Sequence, residues 1–160
     1  MFCKKCGIEL DNKVINNEGN IPYCVNCEVL YFPKSNLATI VAITNKEKQV
    51  LLLKQNHISE YFVLIAGYYK PGESLEECAT REVKEEVGLD INEMSYLSSH
   101  YYEKKDALMV AFHGKSNTNC LVLDKTEVDA AKWFSFKEAL TKIRSGSIGE
   151  KILLEIGETI

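Results

Sequence analysis

Two apolar runs dominate the pattern of the chain. Residues 37–44, LATIVAIT, and Val50–Lys54 read as buried strands, with Asn45–Gln49 as the turn between them. Tyr61–Ala66 is a third apolar strand. It feeds a Pro71-Gly72 turn and then a segment with helical signals. Ser74 and Glu77 form a capping box, and Gly88 suits a left-handed stop, so Leu75–Val87 is predicted to be a helix. Further on, Tyr96–Tyr102 and Ala107–Gly114 read as strands joined by the charged Glu103–Asp106. Ala130–Ser135 reads as a strand, and Phe136–Ile143 and Ile148–Ile156 as helices. Strands alternating with two or three helices imply an α/β layered domain, a mixed sheet sandwiched between helices.

The predicted helix breaks its own apolar pattern. At about 100° per residue, Leu75, Cys78, Ala79, Val83 and Val87 share one arc. Glu82 and Glu86 fall inside that arc and Glu85 at its edge, while Arg81 and Lys84 point elsewhere on the wheel. A carboxylate on a core-facing surface costs several kcal/mol unless a cation meets it. An oxygen-preferring Mg²⁺ or Mn²⁺ answers that demand; a solvated acidic helix face is the alternative on spacing alone.

Charge narrows the partners. The chain carries 19 basic and 23 acidic residues, net −4, and 46% of it is apolar. Residues 73–86 hold six glutamates against Arg81 and Lys84, so the whole excess sits there and the rest is balanced. With no basic excess, a nucleic-acid partner is not expected. A polyanionic substrate nearing this helix needs metal to neutralise the repulsion. No apolar run reaches membrane-span length and the amino terminus lacks a signal-peptide pattern, so a soluble, cytoplasmic protein is expected.

Four of the six cysteines lie near the amino terminus, as Cys3-x2-Cys6, seventeen residues, then Cys24-x2-Cys27. That spacing matches a four-thiolate Zn²⁺ site; a pair of disulfides is the alternative, disfavoured without an export signal. So short a segment has no core of its own, and the metal must supply its folding energy. The chain is expected to divide into a zinc ribbon, residues 1–33, and a main domain, 34–160. Cys78 and Cys120 read as packing residues, Trp133 as a strand-packing aromatic, and His57, His100 and His113 as surface or strand residues without metal spacing.

The segment Gly67-x5-Glu73-x7-Arg81-Glu82-Val83-Lys84-Glu85-Glu86-Val87-Gly88-Leu89 resembles the Nudix box. Phe2-Cys3-x2-Cys6-Gly7, Cys24-x2-Cys27, Tyr31-Phe32-Pro33-Lys34, Leu108-Met109-x2-Phe112, Asp124-x2-Glu127-Val128, Ala131-Lys132-Trp133-Phe134 and Ser147-Ile148-Gly149 resemble the zinc-ribbon NADH pyrophosphatase branch of that superfamily. The resemblance implies the Nudix α/β/α sandwich. It makes Glu82 and Glu86 the main ligands of Mg²⁺ or Mn²⁺, and Glu85 a further ligand or the base. The Ala66 carbonyl and Glu127, from a distant loop, complete the shell, and Glu73 pairs with Arg81 as a brace. Phe32, Tyr101 and Tyr102 become candidates to stack on substrate bases, and Gly149 lies where a small residue approaches adenine.

The implied reaction is hydrolysis of the diphosphate of a nucleoside diphosphate linked to another group. NAD(H), giving AMP and NMN(H), comes first and ADP-ribose or another dinucleotide second. A non-catalytic nucleotide or nucleic-acid sensor is the reading from another class. Two departures from the branch bear on substrate choice. A proline-rich stretch is replaced by Ser99–Lys105, which adds charge at Glu103–Lys105, and the branch's further amino-terminal domain has no counterpart. The branch also leans to homodimers, and exposed ribbon edges suit one.

Overall fold

A computed structural model describes residues 1–55 and 60–158, so the His57 reading lies outside the described residues. The chain forms two compact units, Met1–Ser35 and Asn36–Ile160. The first is a three-stranded antiparallel sheet of β1 (Asp11–Ile15), β2 (Gly19–Cys24) and β3 (Val29–Leu30), with little apolar interior beyond Cys3, Ile21 and Cys24.

The second unit is a mixed sheet between helices. Its strands are β4 (Asn36–Thr44), β5 (Val50–Gln55), β6 (Ile65–Tyr68), β7 (Glu93–Tyr102), β8 (Ala107–Lys115) and β9 (Val128–Phe134), in the order β7-β8-β4-β5-β9, with β6 also on β4. Among these strands β4 and β8 run parallel, and the pairs β4–β5, β4–β6, β5–β9 and β7–β8 are antiparallel. The helices are α1 (Leu75–Val87), α2 (Phe136–Lys142) and α3 (Ile148–Gly157).

The continuous apolar strands make sense once the two faces are separated. Val41 and Ile43 of β4, Leu51 and Leu53 of β5, and Val110 and Phe112 of β8 face α1, meeting Ala79, Val83 and Val87. Their neighbours Ile40, Ala42, Val50, Leu52 and Ala111 face the other layer, with Ala139, Ile152, Leu153 and Ile156 of α2 and α3. Side chains alternate along a strand, so a run with no polar break serves two cores at once. Among the described residues, no helix is long and apolar enough to cross a membrane.

Several expected bounds move. The third strand is displaced: Phe62 and Val63 make single bridges, to Ile143 and Leu53, and the ladder with β4 begins at Ile65. It therefore runs through Gly67 into the loop, where the sequence pattern stopped it at Ala66. β7 begins at Glu93, three residues early, because β8 is long enough to pair with it. The Glu103–Lys105 link is one turn of 3₁₀ helix closed by Asp106, whose N–H bonds the Glu103 carbonyl at a φ of 43°. Cys120 is exposed, so the packing reading fails there: it lies in the loop before β9, outside both cores. Cys78 is buried, and Trp133 packs on the α1-side core with its indole N–H donated to the Asn119 carbonyl.

Local sequence sets the ends of α1. The Ser74 hydroxyl accepts from the Glu77 N–H at 3.1 Å, the Glu77 carboxylate accepts from the Ser74 N–H at 2.6 Å, and Gly88 closes the helix at a φ of 72°. Replacing Ser74 with Ala removes half of that box and leaves helix donors bare. It is expected to lower stability by about 1 kcal/mol. Urea unfolding followed by circular dichroism measures this, and a midpoint equal to wild type would show that the box carries no stability.

Candidate metal and diphosphate site

Gly67, at the end of β6, lies directly beneath the first turns of α1. A Cβ built on Gly67 would stand 1.9 Å from the Glu82 carboxyl carbon, so only glycine lets this carboxylate lie on the strand. Glu82 is buried there, and Glu86, one turn on, is buried more deeply. One Glu86 oxygen, Oε2, is sealed from solvent without a hydrogen-bond partner. Burial, reinforced by the charges of Glu82, Glu127, Asp124 and Glu85, pushes the Glu86 carboxyl up to about 8. A buried oxygen with no partner, ringed by four more carboxylates, is a site made for a cation.

Arg81 does more than the helical wheel allows. Its guanidinium grips Glu73 through two bonds, Nε to Oε2 at 2.9 Å and Nη2 to Oε1 at 2.8 Å, and also donates to the Tyr68 carbonyl. The second Nη reaches Glu82, and Glu85 at 3.0 Å. The wheel places Cα atoms, whereas an arginine side chain is long enough to turn back along its own helix. These bonds hold the Glu73 carboxyl down to about 2. The expectation that Arg81 points away from the acids is therefore corrected: it meets Glu82 and Glu85, though not Glu86. Glu85 is also half exposed.

The loop before β9 closes the site's other side. The Val122 N–H bonds the Val87 carbonyl and the Asp124 N–H bonds the Glu86 carbonyl, so the loop is hung on the free carbonyls of the α1 terminus. It brings the exposed Glu127 and the half-buried Asp124 into the field of Glu86. Sequence reasoning assigned no role to Asp124, although its spacing of three from Glu127 carried the signal.

These donors fit a hard divalent ion. They are all oxygens and carry surplus negative charge, and Glu86 has an unmet valence. Among the described residues they are not drawn into a tight cluster, because Arg81 engages Glu82 and Glu85.

Across the sheet from α1 lies an open cavity of about 760 Å³. Its wall includes Ala66, Tyr101, Tyr102 and Gly149, with Phe62 and Met109, which sequence reasoning did not single out. Ala66 and Gly67 are consecutive, so the cavity ends next to the strand that supports Glu82. The Tyr101 hydroxyl is donated to Asp106 at 2.8 Å. Gly149 is buried; a Cβ there would stand 2.6 Å from Ile143 Cδ1. Phe32 belongs to the other unit and is partly exposed.

In the first unit the sulfur atoms of Cys3, Cys6, Cys24 and Cys27 all lie within 4.8 Å of one another, as free thiols. Tetrahedral ligands at about 2.3 Å from zinc stand about 3.8 Å apart. The Cys6–Cys24 and Cys3–Cys27 separations, 3.5 and 4.0 Å, bracket that value. Backbone N–H groups of Lys5 and Cys27 point at Cys3 and Cys24 sulfurs, and the Tyr31 hydroxyl lies 3.1 Å from Cys3. The tyrosine bond holds the Cys3 thiol down to about 6, whereas the bond to Cys6 pushes Cys27 up to about 12. Four such thiols ionise together only around a soft cation, and the donor set fits Zn²⁺.

Two expected outcomes follow from these geometries. Cys24→Ser should abolish bound zinc, measured by elemental analysis of the purified chain, and retention of one equivalent would overturn the four-thiolate assignment. Gly67→Ala should weaken Mn²⁺ binding at least tenfold in a paramagnetic relaxation titration, because its methyl displaces the Glu82 carboxylate. An unchanged affinity would separate Glu82 from the metal.

The NUDIX domain family model matches residues 34–153. NAD-capped RNA hydrolase NudC of Vibrio parahaemolyticus is 32% identical over 153 residues, covering 95% of this chain and 57% of its own length. The protein of that name from Stutzerimonas stutzeri is 32% identical over 133 residues, covering 83% and 47%. The chain thus spans about half the length of these curated relatives. Among solved structures, a NUDIX hydrolase from Nitrosomonas europaea superposes with a TM-score of 0.74 at 19% identity, covering 99% of this chain and 93% of its own. The NUDIX domain of Shewanella oneidensis NrtR, solved with ADP ribose, gives 0.69 at 16% identity, covering 85% and 92%. With the match running from Lys34 through the acid-bearing helix to Leu153, this chain belongs to the Nudix family.

Proposed function

We propose that this chain is a metal-dependent pyrophosphohydrolase that cleaves the diphosphate of NAD(H), giving AMP and NMN(H). The observation that carries the reading is the buried, unpartnered Glu86 oxygen; a cavity large enough for a nucleotide ends at Ala66, next to the Gly67 on which Glu82 lies. Glu82, Glu86 and Glu127, with the Ala66 carbonyl, are the proposed holders of Mg²⁺ or Mn²⁺, and Asp124 adds to their field. When bound, such ions neutralise the diphosphate oxygens and lower the pKa of bound water.

The chain's own groups then have separate tasks. Glu73 fixes the Arg81 guanidinium, which in turn fixes Glu82, so the ligands are oriented before substrate arrives. Glu85 is half exposed and, among the described residues, tied only to Arg81 and Lys70, which leaves it free enough to take a proton from the attacking water. Tyr102, Phe62 and Met109 offer the cavity's apolar and aromatic wall to a base. The activity for which the curated relatives are named supports a second substrate, NAD joined to the end of an RNA, whose scissile bond is the same diphosphate. The NrtR complex keeps ADP-ribose in the comparison.

The test is turnover with Mg²⁺ or Mn²⁺ on NADH, NAD, ADP-ribose and NAD-capped RNA, products resolved by chromatography. Wild type should release AMP from NADH, and Glu86→Gln should lose at least 10²-fold in kcat, the scale of a lost charge-stabilising group, with an unaltered circular dichroism spectrum. Cleavage of none of the four would overturn the enzymatic reading. Normal turnover by the Gln variant would remove Glu86 from the reaction.

A further inference from the structure

The proposed hydrolysis uses the Ala66 end of the cavity and leaves the charges elsewhere on its wall without a task. Among the described residues, three charged ones line it: Glu103 and Lys104 from the turn after β7, and Arg144 from the α2–α3 connection. The wall is thus net positive in a chain of net charge −4. Among the described residues neither cation has an ion-pair or hydrogen-bond partner for its side chain. Glu150, the nearest acid after Arg144 in sequence, is taken up by the Gly146 N–H at 2.7 Å and the Ser145 hydroxyl. Arg81, by contrast, is saturated by Glu73, Glu82 and Glu85.

Strand register separates Lys104 from the diphosphate end. Ala66 is level with Ile40 and, through it, with Ala111 and Ser98; Tyr102 is level with Ala107 and Asn36. That is three strand spacings across the sheet and four residues along it, on the order of 15 Å or more. A lysine there serves a different part of the substrate from the part bridged by metal. The turn that carries it is also fixed in advance. Asn36 donates its N–H to the Asp106 carbonyl and its Nδ2 to the Lys105 carbonyl, and Tyr101 clasps Asp106.

Resting on the diphosphate reading of the Ala66 end, we propose that the cavity takes a nucleoside whose ribose carries a further phosphate ester, with Lys104 and Arg144 as its cationic contacts. That chemistry has two sources: a 2′-phosphate monoester on a small dinucleotide, or the 3′-phosphodiester that leads from a capping nucleotide into RNA. Two exposed cations suit either, since a phosphate ester keeps at least one charge at neutral pH.

The experiment is equilibrium binding by calorimetry, without divalent ions. The ligands are AMP, adenosine 2′,5′-bisphosphate and the dinucleotide pApA, none of which has a diphosphate to cleave. One of the two extended ligands should bind about tenfold tighter than AMP at low salt, an advantage that shrinks as salt rises. Which of them does so identifies the source. The advantage should fall to about twofold or less in Lys104→Gln/Arg144→Gln and widen in Glu103→Gln, which removes the wall's one acid. Equal affinities for all three ligands in wild type, or an undiminished advantage in the double variant, overturns the proposal. A chain that shows the advantage yet cleaves no dinucleotide keeps this site and loses the proposed hydrolysis.

Discussion

The main domain is arranged around one electrostatic constraint, the burial of Glu86 on the inward face of α1. A carboxylate there is expensive, and its neighbours Glu82, Asp124 and Glu127 make it more so. Yet the surrounding structure is built to keep those groups in place. Gly67 gives up its side chain so that Glu82 can lie on the strand, Glu73 and Arg81 lock the loop to the helix, and the β9 loop hangs from the α1 terminus. An apolar residue at position 86 would suit the Val83 and Val87 face and leave no unmet valence. The fold instead carries the cost as a standing demand for a cation, which is what a charge-stabilising site requires before substrate arrives.

Much of this was legible from local chemistry. The capping box, Gly88 and the inward Glu82 and Glu86 follow from the period of the helix, and the structure has them where that period puts them. The runs in β4 and β5 announced burial, and the structure divides it between the two faces of the sheet. What stayed hidden depends on reach or on distant convergence. Arg81 looked unavailable because a wheel ignores the length of its side chain. The third strand was cut short at Ala66 because Gly67 lacks strand propensity, and pairing with Thr39 keeps it extended. Phe62, Met109 and Arg144 meet at one cavity through crossovers that no local pattern encodes. Asp124 was visible as part of a motif, but nothing in its sequence context tied it to Glu86.

The two units solve the same shortage differently. The ribbon has too few buried apolar side chains to hold itself, so its four thiols are gathered where a soft ion can serve as the core. The main domain has two full apolar layers and can therefore tolerate acids facing inward. Softness of donor and availability of core thus sort the two kinds of site: sulfur where folding needs the metal, oxygen where chemistry does.

Charge is also sorted across the main domain's sheet. On the α1 side the acids are in surplus and their one close guanidinium is fully engaged, so an incoming diphosphate meets repulsion until metal is present. On the cavity side, among the described residues, the cations are in surplus and without partners of their own. A substrate with charge only at its diphosphate would gain nothing from that second surface. Under the proposed reading, a substrate with a further anionic group is drawn to the cavity before the metal end is engaged, and the turn at Glu103–Lys105, pinned by Asn36 and Tyr101, needs little ordering on binding. The Ser99–Lys105 stretch, one of the places where this chain departs from the branch it resembles, is therefore the one that supplies Lys104, and Asn36 and Tyr101 pin its turn.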